Sequence, residues 1–89
     1  MENFRVIIVE DVPLELKGTE GIFRNEIPEA EIIGTAESEP AYWKLIKRQL
    51  PDLVLLDLGL GGSTTVGVEI CRQTKQTYPN VKVLIFTRY

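Results

Sequence analysis

Four short aliphatic runs constrain the fold of this chain more than any other feature. They are Arg5 to Val9, Glu31 to Ala36, Leu53 to Leu56 and Val81 to Phe86. The first, third and fourth are rich in Val, Ile and Leu and read as strands buried on both faces, and Glu31 to Ala36 reads as a further strand. Three helix-like segments separate them. Pro13 suits the first turn of a helix reaching about Glu26. Its expected inner face is Leu14, Gly18, Ile22 and Phe23, with Gly18 and Gly21 allowing close approach to the sheet. Ser38 or Glu39 caps a second helix, with Pro40 in its first turn and a stripe of Tyr42, Leu45, Ile46 and Gln49 or Leu50. A third runs from about Val66 to Thr77 and turns Gly67, Ile70, Cys71, Thr74 and Tyr78 inward. The strict β-α-β-α-β-α-β alternation predicts an α/β fold, a doubly wound parallel sheet covered on both faces. Right-handed crossovers leave only a few topologies.

The strand ends carry the chemistry. Glu10 and Asp11 close the first run, Asp57 the third and Thr87 the fourth. A carboxylate at the end of a buried strand is costly unless it reaches water, a partner or a metal. Ligands of open parallel sheets bind outside the carboxyl ends of the strands, where strand order reverses. With strand order 2-1-3-4, strands one and three are neighbours, and Glu10, Asp11 and Asp57 converge. Carboxylates brought together repel one another, and a hard divalent cation relieves that repulsion. The Gly59 carbonyl, two residues beyond Asp57, offers a further oxygen ligand. A carboxylate beside such a cation can attack a phosphoryl group and form an acyl phosphate. The Thr87 hydroxyl can hydrogen-bond a phosphoryl oxygen.

Composition removes several alternatives. The 89 residues make one domain with a small core. The chain has no histidine, which excludes Ser-His-Asp and Cys-His catalysis and imidazole ligands. A metal site must therefore use oxygen, which favours magnesium, calcium or manganese. Cys71 is the single cysteine and reads as packing. Net charge is -3, and the densest basic group, Lys44, Lys47 and Arg48, reads as a solvated helix face, so direct nucleic-acid binding is not expected. No signal-peptide pattern or membrane-length run is seen, so a cytoplasmic location is expected.

Several segments together resemble the receiver domains of two-component response regulators. They are Val9-Glu10-Asp11, Gly34-Thr35-Ala36-Glu37-Ser38, Pro51-Asp52-Leu53-Val54-Leu55-Leu56-Asp57-Leu58 and Phe86-Thr87. The resemblance covers essentially the whole chain and is nearest to regulators with a helix-turn-helix output domain. It implies a flavodoxin-like fold with Asp57 as phosphoacceptor. It also implies Mg2+ held by Glu10, Asp11, Asp57 and the Gly59 carbonyl, with Thr87 as the switch hydroxyl. The implied partner is a sensor histidine kinase or phosphotransfer protein bearing a phosphohistidine. Such a domain is a signalling switch, catalysing only its own phosphorylation and dephosphorylation.

Two departures stand out. The family pattern continues into a fourth helix, a fifth strand carrying a lysine and an aromatic residue, and a fifth helix, whereas the sequence here stops at Thr87-Arg88-Tyr89. An incomplete domain is therefore expected, with strand four as an exposed edge. It would be either a fragment of a longer regulator or a chain that associates with a second copy through that edge. The family also usually has proline where Gly61 stands, and Ser63, Thr64 and Thr65 lengthen the loop before Gly67. The rival reading is a receiver-like dimerisation module that no longer signals by phosphorylation. A magnesium-dependent phosphatase is weaker, because no general acid or substrate cap is visible.

Overall fold

A computed structural model describes residues 3–62 and 64–86. The aliphatic runs form β1 (Phe4–Val9), β2 (Ala30–Ala36), β3 (Leu53–Asp57) and β4 (Lys82–Phe86). All three pairings are parallel, and the sheet order is β2-β1-β3-β4. The helices are α1 (Pro13–Glu26), α2 (Glu39–Arg48) and α3 (Thr64–Thr77), and a short 3-10 turn spans Leu60–Gly62. The alternation predicted a doubly wound parallel sheet and left a few topologies open; the observed 2-1-3-4 order is the flavodoxin-like one that the resemblance implies.

The order reverses between β1 and β3, so the helices divide between the two faces of the sheet. Alternation along β1 sends Val6 and Ile8 to the α1 side, where they pack with Leu16, Phe23 and Leu55. Ile7 and Val9 face the other way, into a larger cluster with Tyr42 and Ile46 of α2, Ile70 of α3, Val54 and Leu56. Both central strands are thus buried on both faces, which is why their sequences are almost continuously aliphatic.

The α1 face differs from expectation. Leu16 and Phe23 are its buried residues, whereas Leu14 is 79% and Ile22 59% exposed. Leu14, Gly18 and Ile22 follow one another at i, i+4 spacing on the side of the helix away from Leu16 and Phe23. Nothing lies within 4 Å of where a Cβ would stand on Gly18 or Gly21, so neither glycine marks a close approach. On α2, Ser38 is the N-cap and its Oγ accepts from the Ala41 N–H at 3.3 Å. Tyr42 and Ile46 form the buried stripe, with Leu45 half-buried and Gln49 and Leu50 exposed. Helix α3 starts at Thr64, two residues before the expected Val66, and buries Gly67, Ile70 and Thr74 as the spacing predicts.

One polar contact joins α2 to α3 inside the larger cluster. The Tyr42 hydroxyl lies 2.7 Å from Thr74 Oγ1, and both residues are fully buried. Burial pushes the Tyr42 phenol up from its ordinary 10.0 to about 12, outweighing the opposing effect of the Thr74 hydrogen bond. Tyr42→Phe is expected to cost about 1–2 kcal/mol, because Thr74 loses its partner, and the added Thr74→Val change should recover part of that loss. Urea unfolding of the single and double variants measures both. The unfolded chain releases the phenol proton near pH 10 and the native one near 12, so the native state holds more protons across that window. Stability must therefore fall as pH rises through it, and Tyr42→Phe must lack that component.

Candidate functional site

The register of the two central strands builds the site. Val9 lies opposite Leu56, so the residues that follow, Glu10 and Asp57, emerge side by side at the carboxyl edge of the sheet. Glu10 is 0% and Asp57 1% exposed, while Asp11 is half-buried. One carboxylate oxygen from each of Glu10, Asp11 and Asp57 lies within 4.8 Å of the others. Sequence reasoning expected this convergence, and the structure brings all three together.

Backbone N–H groups of the adjoining loops hold the carboxylates in place. Glu10 Oε2 accepts from Val12 N at 2.9 Å, in the turn that leads into α1. Asp57 Oδ1 accepts from Gly59 N at 3.0 Å, closing the turn after β3. Asp11 Oδ2 accepts from Gly61 N at 3.1 Å, across to the other loop. The N-cap of α1 is Val12, with no side-chain cap bond, so Asp11 is spent on the β3–α3 loop rather than on capping. Asp11 Oδ1 is shielded from solvent and accepts no hydrogen bond from the described residues.

This donor set suits a hard divalent cation. It consists of the carboxylate oxygens of Glu10, Asp11 and Asp57, and the further ligand expected from the sequence is the Gly59 carbonyl. That carbonyl already accepts from Gly62 N at 2.9 Å, which leaves its second lone pair for a further partner. A buried carboxylate oxygen without a donor is a lasting cost unless a cation satisfies it. Nitrogen and sulfur ligands are absent from the cluster, which again points to magnesium-like chemistry. Thr87, the expected hydroxyl, lies outside the described residues.

Sequence reasoning did not anticipate Leu60. It sits in a Gly/Ser/Thr stretch read as an open loop, yet it is buried in the larger core cluster with Leu56 and Ile70. A single large aliphatic residue among glycines was the available signal. Leu60 anchors the loop between Gly59 and Gly61, whose N–H groups serve Asp57 and Asp11.

The response regulator receiver domain family model matches residues 6–89. The chain belongs to this family. A curated relative, the transcriptional regulatory protein DegU of Brevibacillus brevis, is 31% identical over 85 residues, which is 96% of this chain and 35% of DegU. The transcriptional regulatory protein ComA of Bacillus subtilis is 27% identical over 96% of this chain and 39% of its own length. The chain therefore spans little more than a third of these relatives. In fold, it is similar to the isolated receiver domain of RcsB from Salmonella enterica serovar Typhimurium, solved with beryllofluoride. The TM-score is 0.88 at 21% identity, covering 99% of this chain and 64% of that one.

The receiver domain seats the start of α3 directly on the residue after Asp57. A Cβ on Gly67 would stand 2.7 Å from the Leu58 carbonyl oxygen and 3.1 Å from Leu58 Cα. Both are backbone atoms and cannot swing away. Gly67→Ala is expected to lower stability by roughly 1 kcal/mol, since overpacking costs about 1–3 kcal/mol and better helix propensity returns about 1. Urea unfolding of that variant measures the difference.

Proposed function

We propose that this receiver domain accepts a phosphoryl group on Asp57 from the phosphohistidine of a sensor histidine kinase or phosphotransfer protein. The observation that carries the reading is the convergence of Glu10, Asp11 and Asp57 within 4.8 Å at the carboxyl edge of the two central strands. Glu10, Asp11, Asp57 and the Gly59 carbonyl would hold Mg2+, which when bound neutralises charge on the phosphoryl oxygens. An Asp57 carboxylate oxygen forms the new O–P bond as the N–P bond of the phosphohistidine breaks. The imidazole leaves with the electron pair of that bond, and Asp57 becomes an acyl phosphate. The Gly59 N–H, already bonded to Asp57 Oδ1, keeps the nucleophile oriented. Thr87 follows β4 in sequence and is proposed to donate its hydroxyl to a phosphoryl oxygen. The protein then acts as a switch in the cytoplasm, with any DNA binding left to an output domain such as those of its relatives. No helix among the described residues is long and apolar enough to cross a membrane.

Beryllofluoride, which mimics an aspartyl phosphate, tests the reading directly. With Mg2+ it should bind the wild-type chain one to one, and Asp57→Asn should abolish binding while leaving the fold intact by circular dichroism. Equal binding by the two proteins would remove Asp57 from the role and favour a module that no longer signals.

We also propose that this chain associates with a second copy through β4. Among the described residues β4 pairs only with β3, and it exposes Leu84 and Ile85. An edge of this kind is a template for further strand pairing. Light scattering should show a dimer whose population falls when Ile85 is replaced by Lys; a monomer at all concentrations would refute the association.

A further inference from the structure

We infer that the Gly61 amide is a positioning group for the cation site, holding Asp11 so that its other oxygen faces the cation. The inference rests on the Mg2+ reading above and deepens it. Asp11 is the only half-exposed member of the trio, so its side chain is the one with room to turn away. Gly61 N binds its Oδ2 at 3.1 Å, while Oδ1 stays shielded and accepts nothing from the described residues. The pinned oxygen and the waiting oxygen belong to the same planar group, so fixing one fixes the direction of the other. Hydrogen bonds to ligating carboxylates commonly act in this way.

The chain puts unusual chemistry into this one N–H. Gly61 has φ 71° and ψ 14°, a left-handed conformation that suits glycine, and Gly62 follows at φ 77°. Proline could neither adopt that φ nor supply the N–H. The peptide group that donates is the one joining Leu60 to Gly61, and the buried Leu60 side chain holds it from the other end. A core residue thus sets the direction of an N–H that contacts a ligand, across a gap of 50 residues in sequence. Gly61 touches neither cation nor phosphoryl group in this scheme and is not a catalytic residue.

The test replaces the Leu60–Gly61 amide by an ester, which removes the N–H and leaves the side chains unchanged. Mg2+ affinity is measured by calorimetry for the ester, the wild type and Gly61→Asn, which keeps the N–H and tolerates the left-handed conformation. The ester should bind Mg2+ about tenfold or more weakly, with Gly61→Asn within about threefold of wild type. An ester that binds as tightly as wild type overturns the inference while leaving the Mg2+ reading intact. A wild-type chain that binds no Mg2+ overturns both. Thermal melting without metal checks that the ester folds. Should it not fold, hydrogen exchange of the wild type decides. The Gly61 amide must be protected without metal and stay protected with Mg2+; loss of protection on adding Mg2+ would mean that the bond competes with the cation, which refutes the inference.

Discussion

The pairing of β1 with β3 is the interaction on which the rest of the structure depends. Strand register is discrete, and a slip of one residue would turn every side chain of one strand to the other face. The register here is fastened at both ends. At the amino edge, Asp52 Oδ2 accepts from Arg5 N at 2.8 Å, Asp52 N donates to Arg5 O at 2.9 Å, and Lys82 N donates to Asp52 O at 3.0 Å. One residue therefore ties the starts of three strands. The accompanying Arg5–Asp52 ion pair, at 3.6 Å and half-exposed, adds little beside those bonds. At the carboxyl edge the same register delivers Glu10 beside Asp57. The site is thus a consequence of alignment set at the far end of the sheet and of burial along both strands.

That alignment works against local stability. Glu10 and Asp57 are shielded from water and lie beside a third carboxylate, a combination that burial and Coulomb repulsion both disfavour. The fold offsets part of the cost with backbone N–H groups from three different residues, Val12, Gly59 and Gly61. Each bond to a charged acceptor is stronger than a neutral one. Conflict between local rules and the overall fold is expected where a protein keeps a functional site. The apolar interior shows no such conflict: its one prominent side-chain polar pair, Tyr42 with Thr74, is mutually satisfied.

The sheet and the acidic trio were legible in the sequence because both follow from one-dimensional signals. Aliphatic runs mark strands, doubly buried in β1 and β3 but not in the edge strands β2 and β4, and a carboxylate at the end of a buried run has few bland explanations. The inner face of α1 was legible only in part: Phe23 is buried as expected, whereas Leu16 is buried in place of Leu14 and Ile22. The early start of α3 was hidden. Thr64 and Thr65 are β-branched and read as loop, yet the seat of Gly67 on Leu58 draws the helix back over them. The Asp11–Gly61 bond was invisible because it depends on a positive φ and on the burial of Leu60, neither of which periodicity reports. Long-range geometry, rather than composition, carries that part of the site.

The loop between Asp57 and Gly67, which the resemblance reads as longer than the family pattern, still places two N–H groups on the carboxylates. Closing a longer loop costs only slowly more, as the logarithm of its length. Position is set by the anchors at its ends. Leu60 in the core fixes the near end, within three residues of Asp57, and Gly67 against Leu58 fixes the far end. Gly59 and Gly61, which contact the carboxylates, flank the first anchor. Ser63, Thr64 and Thr65 follow in sequence after Gly59 and Gly61, the residues whose N–H groups make those two bonds. In the same stretch, Gly61 carries an N–H that a proline would lack, and this chain uses it on Asp11.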